Sequence, residues 1–206
     1  MYTPKSFKQQ DIQSMIELMR QNSLAALISN SAEPVGLNVE HLPFIVDADD
    51  SSKVVLRAHI AKANPVCQYL HDGQEVLLVF QGSDSYISPN WYPSKKVNSK
   101  VVPTWNYSAV HVKGRVQMIN EPQWILSLLH DLTQLHESTQ AKPWAVSDAP
   151  KQFVDALVNA IVGIQVEVDE LICKEKLSQN QTLENRQGVK DALTKAGHDM
   201  AASIKV

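Results

Sequence analysis

The strongest constraint on the fold is a segment in which apolar and polar residues alternate without a break. Between Val110 and Met118 every second residue is apolar or glycine: Val110, Val112, Gly114, Val116 and Met118. The residues between them are His111, Lys113, Arg115 and Gln117. Because successive side chains of a β-strand point to opposite faces, this pattern predicts a strand with one face in a core. The other face is left for a partner, a ligand or water.

Periodic patterns elsewhere predict the remaining elements. Strands are expected at Leu24–Ile28, Val35–Val46, Lys53–Ile60, Glu75–Phe80 and Ile164–Asp169, with a short strand and loop over Gly82–Tyr92. Helices are expected at Gln9–Gln21, on apolar stripes through Trp124–Leu135 and Phe153–Ile161, and at Leu183–Gly197. Strands precede most helices without regular strand–helix alternation, which favours an α+β domain on a mostly antiparallel sheet or barrel. We expect residues 1–206 to form one domain.

Composition excludes several classes of protein. The 206 residues carry a formal net charge of −3, which argues against a polybasic nucleic-acid binder. The longest apolar runs, Leu24–Ile28 and Val76–Phe80, are far shorter than the ~20 residues of a membrane helix. The N-terminus lacks the apolar core of a signal peptide, and Cys67 and Cys173 form no CxxC pair. We therefore expect a soluble, cytoplasmic protein with no membrane contact.

Common catalytic and metal-binding motifs are missing from the sequence. It contains no GxGxxG after a strand, no GxxxxGK[ST], no HExxH and no GxSxG. Histidines do not occur at metal-ligand spacing on a predicted helix. The sequence thus argues against a metallohydrolase or a serine hydrolase, and no metal site is predicted.

Aromatic and amide residues are concentrated between positions 81 and 107. The aromatic members are Tyr86, Trp91, Tyr92, Trp105 and Tyr107. The interleaved polar members are Gln81, Ser88, Asn90, Thr104 and Asn106. Flat rings beside amides and hydroxyls suit a planar heteroaromatic ligand, which needs stacking and edge hydrogen bonds. The alternative is that the rings fill a barrel core or a dimer interface.

Two further clusters are polar. Arg57 and His59 lie on the polar face of a predicted strand, and Lys62 and Asn64 lead into a helix expected to begin at Pro65. Cationic side chains near helix amides can bind a phosphate, although a solvated strand edge with an ordinary cap fits equally. The third cluster, Lys176 to Asn180 with Arg186 downstream, could close over a ligand or form a polar capped loop.

Together these stretches resemble the PaiB-like, FMN-binding negative transcriptional regulators. The resemblance runs in order through nearly the whole chain. Its stretches are Met1–Lys5, His41–Pro43, Ala58–Pro65, Val79–Gly82, Tyr86–Tyr92, Val102–Tyr107, Ala109–Gly114, Pro143–Trp144, Ile161–Gly163, Lys176–Asn180 and Arg186–Val189. It implies a split β-barrel similar to that of pyridoxamine-phosphate oxidase, with peripheral helices. It also implies a homodimer that holds FMN in grooves at the subunit interface.

The resemblance further implies roles for individual residues. The FMN phosphate is expected near Arg57, His59, Lys62 and Asn64. The ring and ribityl chain are expected near Gln81, Tyr86, Ser88, Trp105 and Asn106. The C-terminal loop is expected to reach the cofactor with Lys176, Gln179 and Asn180. This loop is expected to belong either to the same subunit or to the partner subunit.

Two functions follow from the resemblance. One is an FMN-binding negative transcriptional regulator of the PaiB type. The alternative is an FMN-dependent, flavin-reductase-like oxidoreductase using NAD(P)H and an unknown small substrate, and no residue identifies the catalytic group. Direct DNA contact is weakly supported, because the basic residues form no stripe typical of DNA binding. They are Lys95, Lys96, Lys100, Arg186, Lys190 and Lys195.

Overall fold

The computed structural model describes residues 1–31, 36–48 and 53–206. Its helices are α1 (Ile12–Gln21), α2 (Lys95–Asn98), α3 (Pro122–Glu137), α4 (Lys151–Asn159) and α5 (Leu183–Lys195). Its strands are β1 (Lys8–Gln9), β2 (Leu24–Asn30), β3 (Leu37–Pro43), β4 (Ile45–Ala48), β5 (Val54–Ala61), β6 (Glu75–Ile87), β7 (Thr104–Ile119) and β8 (Ile161–Lys176). The described residues therefore combine helices with one sheet, as an α+β fold requires.

The sheet has the strand order β3-β2-β6-β7-β8-β5-β4, and β1 pairs with β8. The pairs β2–β3, β2–β6, β4–β5, β5–β8 and β1–β8 are antiparallel. Antiparallel neighbours allow one sheet face to pack on a core while the other stays polar, which explains the alternation in the sequence. The predicted antiparallel α+β class is confirmed.

The chain divides into two compact units. One unit comprises Met1–Gln21, Gln81–His111 and Ile172–Val206, and the other comprises Asn22–Phe80 and Val112–Leu171. We call them the terminal unit and the central unit. That residues 1–206 form one domain stays a prediction. No helix among the described residues is long and apolar enough to cross a membrane.

The central unit is built on the alternating strands. On β5, Val54, Leu56, Ala58 and Ile60 are all buried, as their spacing predicts. On the part of β7 in this unit, Val112 and Val116 are buried, but Ile119 takes the place in the core that the alternation assigned to Met118. Helix α3 buries Ile125, Leu128 and Leu132, whereas Leu135, expected on its stripe, is half exposed.

The core of the terminal unit gathers residues from distant parts of the sequence. Its buried cluster is Ile87, Tyr92, Val189, Leu193, Met200 and Ile204. Helix α1 buries Met15, Ile16 and Met19, which confirms its predicted stripe. Helix α5 begins after Thr182, whose Oγ1 accepts a hydrogen bond from the Asn185 backbone N–H. Serine and threonine are favoured at this position because the first helical N–H groups lack helical partners.

Several predicted boundaries were wrong. Strands β6, β7 and β8 are longer than the alternating segments, because backbone pairing in a sheet continues where the side-chain pattern stops. The predicted strand Val35–Val46 is divided into β3 and β4 at buried Phe44, and Val35 itself lies outside the described residues. The helix expected at Pro65 is a single 3₁₀ turn, Pro65–Gln68.

Candidate functional site

Arg57 of the central unit is held between two carboxylates. Its guanidinium donates to Asp47 of β4 (Nη2–Oδ1 3.2 Å) and to Asp131 of α3 (Nη1–Oδ2 2.9 Å). Hydrogen bonding to Asp47 is the main reason why the pKa of Arg57 is raised above its usual value. The side chain is 18% exposed. Arg57 therefore joins β4, β5 and α3 and has its positive charge balanced, a role that its position on a polar strand face did not reveal.

His59 lies two residues further along the same face of β5. Its Nδ1 atom is buried and has no hydrogen-bond partner among the described residues. Burial lowers the pKa of His59, so the imidazole favours its neutral form. A buried nitrogen without a hydrogen bond lowers the stability of the fold unless a water or a ligand supplies that hydrogen bond. His59 is thus the member of this cluster that most needs an additional partner.

Lys62 and Asn64 follow β5 in the turn. The Lys62 ammonium donates to the Asn159 carbonyl at the end of α4, at 3.0 Å. A lysine ammonium has three N–H groups, so two of them are left for other acceptors, and the residue is exposed. Asn64 Oδ1 accepts from the Val66 N–H at 2.9 Å and caps the 3₁₀ turn. Asn64 therefore has the capping role that the sequence left open.

In the terminal unit, two of the clustered aromatic rings are exposed. Tyr86 of β6 and Trp105 of β7 are 46% and 53% exposed. Their ring centroids are 6.0 Å apart, with an edge-to-face angle of 73°. Tyr92 is buried, Trp91 packs against the terminal core, and the Tyr107 ring lies 5.1 Å from the Lys174 ammonium. Of the five clustered rings, Tyr86 and Trp105 thus offer the most exposed surface to a ligand, while Trp91 and Tyr107 are partly buried.

Two polar residues of the same sequence cluster, Gln81 and Ser88, are held by local hydrogen bonds. Gln81 Nε2 donates to Asp84 Oδ2 at 3.2 Å, and both side chains are exposed. Ser88 Oγ accepts from the Asn90 N–H at 3.2 Å and caps the turn Pro89–Trp91. Gln81 can exchange its contact for a ligand at low cost, because a surface hydrogen bond competes with water.

Asn106 is the most unusual polar residue of the terminal unit. Its side chain is fully buried, and its Nδ2 donates to Ser178 Oγ at 2.8 Å. Its Oδ1 is buried and has no hydrogen-bond partner among the described residues. Trp105 and Asn106 are neighbours on β7, one exposed and the other buried, so their side chains point to opposite faces. The amide therefore keeps an unmet acceptor on the face opposite Trp105.

The C-terminal cluster surrounds the end of β8. Lys176 Nζ donates to Thr104 Oγ1 and lies 5.9 Å from the centroid of the Phe7 ring. Gln179 is bound within its own loop: its Oε1 accepts from the Leu177 N–H at 2.6 Å. Asn180 is exposed. Sequence reasoning identified this loop, but the partners of Lys176 come from other parts of the chain.

A cavity of about 410 Å³ opens beside this loop, within the terminal unit. Leu177 and Gln179 of the predicted cluster line it, and so do residues that sequence reasoning missed: Lys8, Gln9, Ser14, Glu175, Ser203 and Lys205. These come from both ends of the chain, so no local motif could have indicated them. Its carboxylate, Glu175, is hydrogen-bonded to Gln9 at 2.7 Å.

Comparison with known proteins identifies the family. Residues 1–170 match the family model described as "Putative FMN-binding domain". The chain belongs to this FMN-binding family. A protein of Emericella nidulans, AN0679, is 30% identical, over 99% of this chain and 94% of its own. The protease synthase and sporulation protein PAI 2 of Bacillus subtilis is 28% identical, over 88% of this chain and 83% of its own.

Solved structures show the same fold. The FAD and heme binding protein from Mycobacterium smegmatis matches with a TM-score of 0.59 at 13% identity, over 82% of this chain and 73% of that chain. The FMN-binding split-barrel class implied by the resemblance is therefore confirmed, and so is FMN as the cofactor of the family. At this identity the structural match concerns the fold alone.

Each unit, taken by itself, offers chemistry suited to one part of FMN. An isoalloxazine ring needs flat apolar surface, which the Tyr86–Trp105 pair provides. Its polar edge and the ribityl hydroxyls need amide partners, and the exposed Gln81 amide can exchange its contact with Asp84 for one of them. A phosphate needs fixed donors, which Lys62 and His59 can supply. When bound, FMN supplies electron-transfer chemistry.

Proposed function

We propose that the protein is an FMN-binding regulator of the PaiB type that acts as a homodimer, with flavin at the subunit interface. Support for regulation comes from the Bacillus subtilis relative named as a protease synthase and sporulation protein. The observation that carries the flavin site is the exposed Tyr86–Trp105 pair. The proposed place of action is the cytoplasm, in keeping with two cysteines that are both free.

The ring of FMN is proposed to stack on Trp105. Half of this side chain and nearly half of Tyr86 are in contact with water, an unfavourable arrangement for large aromatic surfaces. In their edge-to-face geometry the two rings leave one face of Trp105 for a planar ligand. A second subunit covering the bound ring would also remove this surface from water, and aromatic residues are enriched at such interfaces.

The phosphate of FMN is proposed to bind between Arg57 and Asn64. Lys62 has two ammonium N–H groups left, and His59 has an unpartnered ring nitrogen. A phosphate near His59 would favour the protonated imidazole, opposing the effect of burial on its pKa. Arg57 would contribute mainly by position, because Asp47 and Asp131 already balance its charge.

We propose that regulation depends on the state of the bound flavin or on a protein partner, and not on direct recognition of DNA by this chain. Of the basic residues near the aromatic cluster, Lys95 is hydrogen-bonded to Asn90 Oδ1. The chain carries a net charge of −3, and α2, which holds Lys95 and Lys96, is too short to act as a recognition helix. A mobility-shift titration that detects salt-sensitive DNA binding by the FMN-loaded protein would contradict this route.

The second candidate function is an FMN-dependent oxidoreductase using NAD(P)H. Its support is the exposure of Trp105: a ring stacked on one side keeps its other face open to a reductant unless a partner covers it. Saturable NAD(P)H oxidation by the FMN-loaded protein would favour this function. Free FMN at the same concentration is the control, because it shows how much oxidation occurs without the protein.

The flavin proposal is tested by titrating FMN into wild type, Trp105→Ala and Lys62→Ala, with fluorescence quenching as the readout. We expect each variant to bind about 5- to 30-fold more weakly, from the loss of about 1–2 kcal/mol of stacking or charged hydrogen bonding. Trp144→Ala is the matched control, since Trp144 is also half exposed but lies in the central unit. It should bind FMN as wild type does.

The outcomes separate the two parts of the proposal. If Trp105→Ala binds FMN as tightly as wild type, the ring position is wrong. If Lys62→Ala does so, the phosphate position is wrong. Sedimentation of the loaded protein at micromolar concentration should give a dimer of about twice the 23.0 kDa chain mass. A monomer under these conditions would contradict the interface.

A further inference from the structure

The central unit contains a second cavity, formed by the last turns of α3 and the segment that follows it. Its volume is about 430 Å³, within the range typical of small-molecule sites. None of the residues expected to bind FMN lines it. The sequence analysis noted Pro143–Trp144, and these two residues form part of its wall.

One side of this cavity is aromatic and apolar. Trp144 is 48% exposed although it lines a cavity, and Val146 is buried beneath it. The backbone N–H of Trp144 donates to Glu137 Oε2 at 3.0 Å, which ties the aromatic residue to the end of α3. The Trp144 backbone is therefore tied to the Glu137 carboxylate, and about half of the residue's surface is available to a ligand.

The other side of the cavity favours positive charge. Glu137 is half-buried, and only one of its two carboxylate oxygens has a hydrogen bond among the described contacts. It is the one carboxylate among the described lining residues, which include no lysine or arginine and one histidine, His130 of α3. Gln134 and Glu137 belong to the last turn of α3, where the helix dipole has its negative end.

From these observations we propose that this cavity binds a small organic ammonium ion, with the cation over the Trp144 ring and beside the Glu137 carboxylate. A tryptophan face attracts cations through its quadrupole, and the attraction is strongest for tryptophan among the aromatic residues. The carboxylate and the end of the helix add charge complementarity. The volume suits a small molecule. This site does not depend on the flavin proposal.

The test uses the full chain and isothermal titration calorimetry with two probes, choline and its uncharged carbon isostere dimethylbutanol. We expect choline to bind saturably and at least about tenfold more tightly than the isostere. Trp144→Ala should weaken choline binding about 5- to 30-fold, which corresponds to about 1–2 kcal/mol for a partly desolvated cation–π contact. Trp144→Phe should weaken it less, because an aromatic ring is retained.

Glu137→Gln tests the carboxylate while keeping an oxygen that can accept the Trp144 N–H. It should weaken choline binding several-fold. Glu121→Gln is the matched control: it removes the same charge at the exposed start of α3, where the side chain makes no capping hydrogen bond. It should bind choline as wild type does. Circular dichroism and melting confirm that each variant is folded.

Three results would overturn the proposal. The first is the absence of saturable choline binding to the folded wild type. The second is equal affinity for choline and dimethylbutanol, which would indicate a merely apolar cavity. The third is unchanged choline affinity in folded Glu137→Gln or Trp144→Ala. Because no step requires FMN, a protein that fails to bind flavin can still pass or fail this test.

Discussion

Replacing Asn106 by leucine would separate a ligand-binding amide from a structural one. The side chain is fully buried, and it has one hydrogen bond, from Nδ2 to Ser178 Oγ at 2.8 Å, with Oδ1 unpartnered. Leucine has a similar size and shape and carries no polar atom. The variant thus removes the unmet acceptor together with the one hydrogen bond.

The expected change in the free energy of unfolding is the difference of opposing terms. Removing a buried, unpartnered oxygen should stabilise the apo-protein by about 1–3 kcal/mol, and losing a hydrogen bond costs about 1 kcal/mol. The Ser178 hydroxyl, left buried without its donor, costs about 1–3 kcal/mol more. At the midpoints of these ranges, the net result is a loss of about 1 kcal/mol in the free energy of unfolding. FMN affinity should stay close to that of wild type, because Asn106 Oδ1 is buried on the face opposite Trp105.

Asn185→Leu provides a matched control within the same unit. Asn185 is also buried, but its amide is fully used: Oδ1 accepts from the Ser94 N–H at 3.2 Å, and Nδ2 donates to Ser94 Oγ at 2.9 Å and to Gln181 Oε1 at 3.2 Å. Breaking three hydrogen bonds should cost about 3 kcal/mol. This variant should therefore be clearly less stable than Asn106→Leu.

Urea unfolding followed by circular dichroism measures both stabilities, and FMN titration measures the affinity. If Asn106→Leu destabilises the apo-protein as much as Asn185→Leu does, the Oδ1 atom already has a partner, such as a bound water. If stability is retained but FMN binds clearly more weakly, Asn106 contacts the flavin despite its burial. Either result would refute the reasoning.

Three other predictions concern stability and reactivity. Gly163→Ala should lower the free energy of unfolding by about 1–3 kcal/mol, because an added Cβ would lie 2.3 Å from Trp124 Cζ3; an unchanged melting temperature would contradict this. Cys173 is 1% exposed, and burial raises its pKa to about 12. A thiol reagent at about pH 8 should therefore modify only Cys67 before denaturation. Rapid labelling of Cys173 in the folded chain would refute this prediction. Because burial lowers the pKa of His59, the imidazole takes up a proton more readily in the unfolded chain than in the folded one. The free energy of unfolding should therefore fall as the pH drops below about 6.5, until the pH passes the pKa of His59 in the folded state. His59→Gln should flatten that slope in urea unfolding across this range; an equally steep slope in the variant would count against it.

Local patterns predicted which face of each element is apolar. The buried positions of β5 and the buried stripe of α1 agree with their spacing, because a period of two or of 3.6 residues assigns side chains to faces before any packing occurs. The same patterns could not predict what covers a face. Phe153 and Leu157 share an apolar stripe with Val158, yet only Val158 is buried in α4.

By itself, the sequence determined the α+β class, the apolar faces of the main strands, and the clusters of residues offered as flavin ligands. Only the tertiary structure decided which ion-pair and hydrogen-bond partners those side chains already have. Arg57 is balanced by Asp47 on the neighbouring strand β4 and by the sequence-distant Asp131 on α3, and Asn106 is half-satisfied by Ser178. The physical reason is that periodicity reports local backbone geometry, whereas the charge and hydrogen-bond state of a side chain depends on residues that folding brings to it.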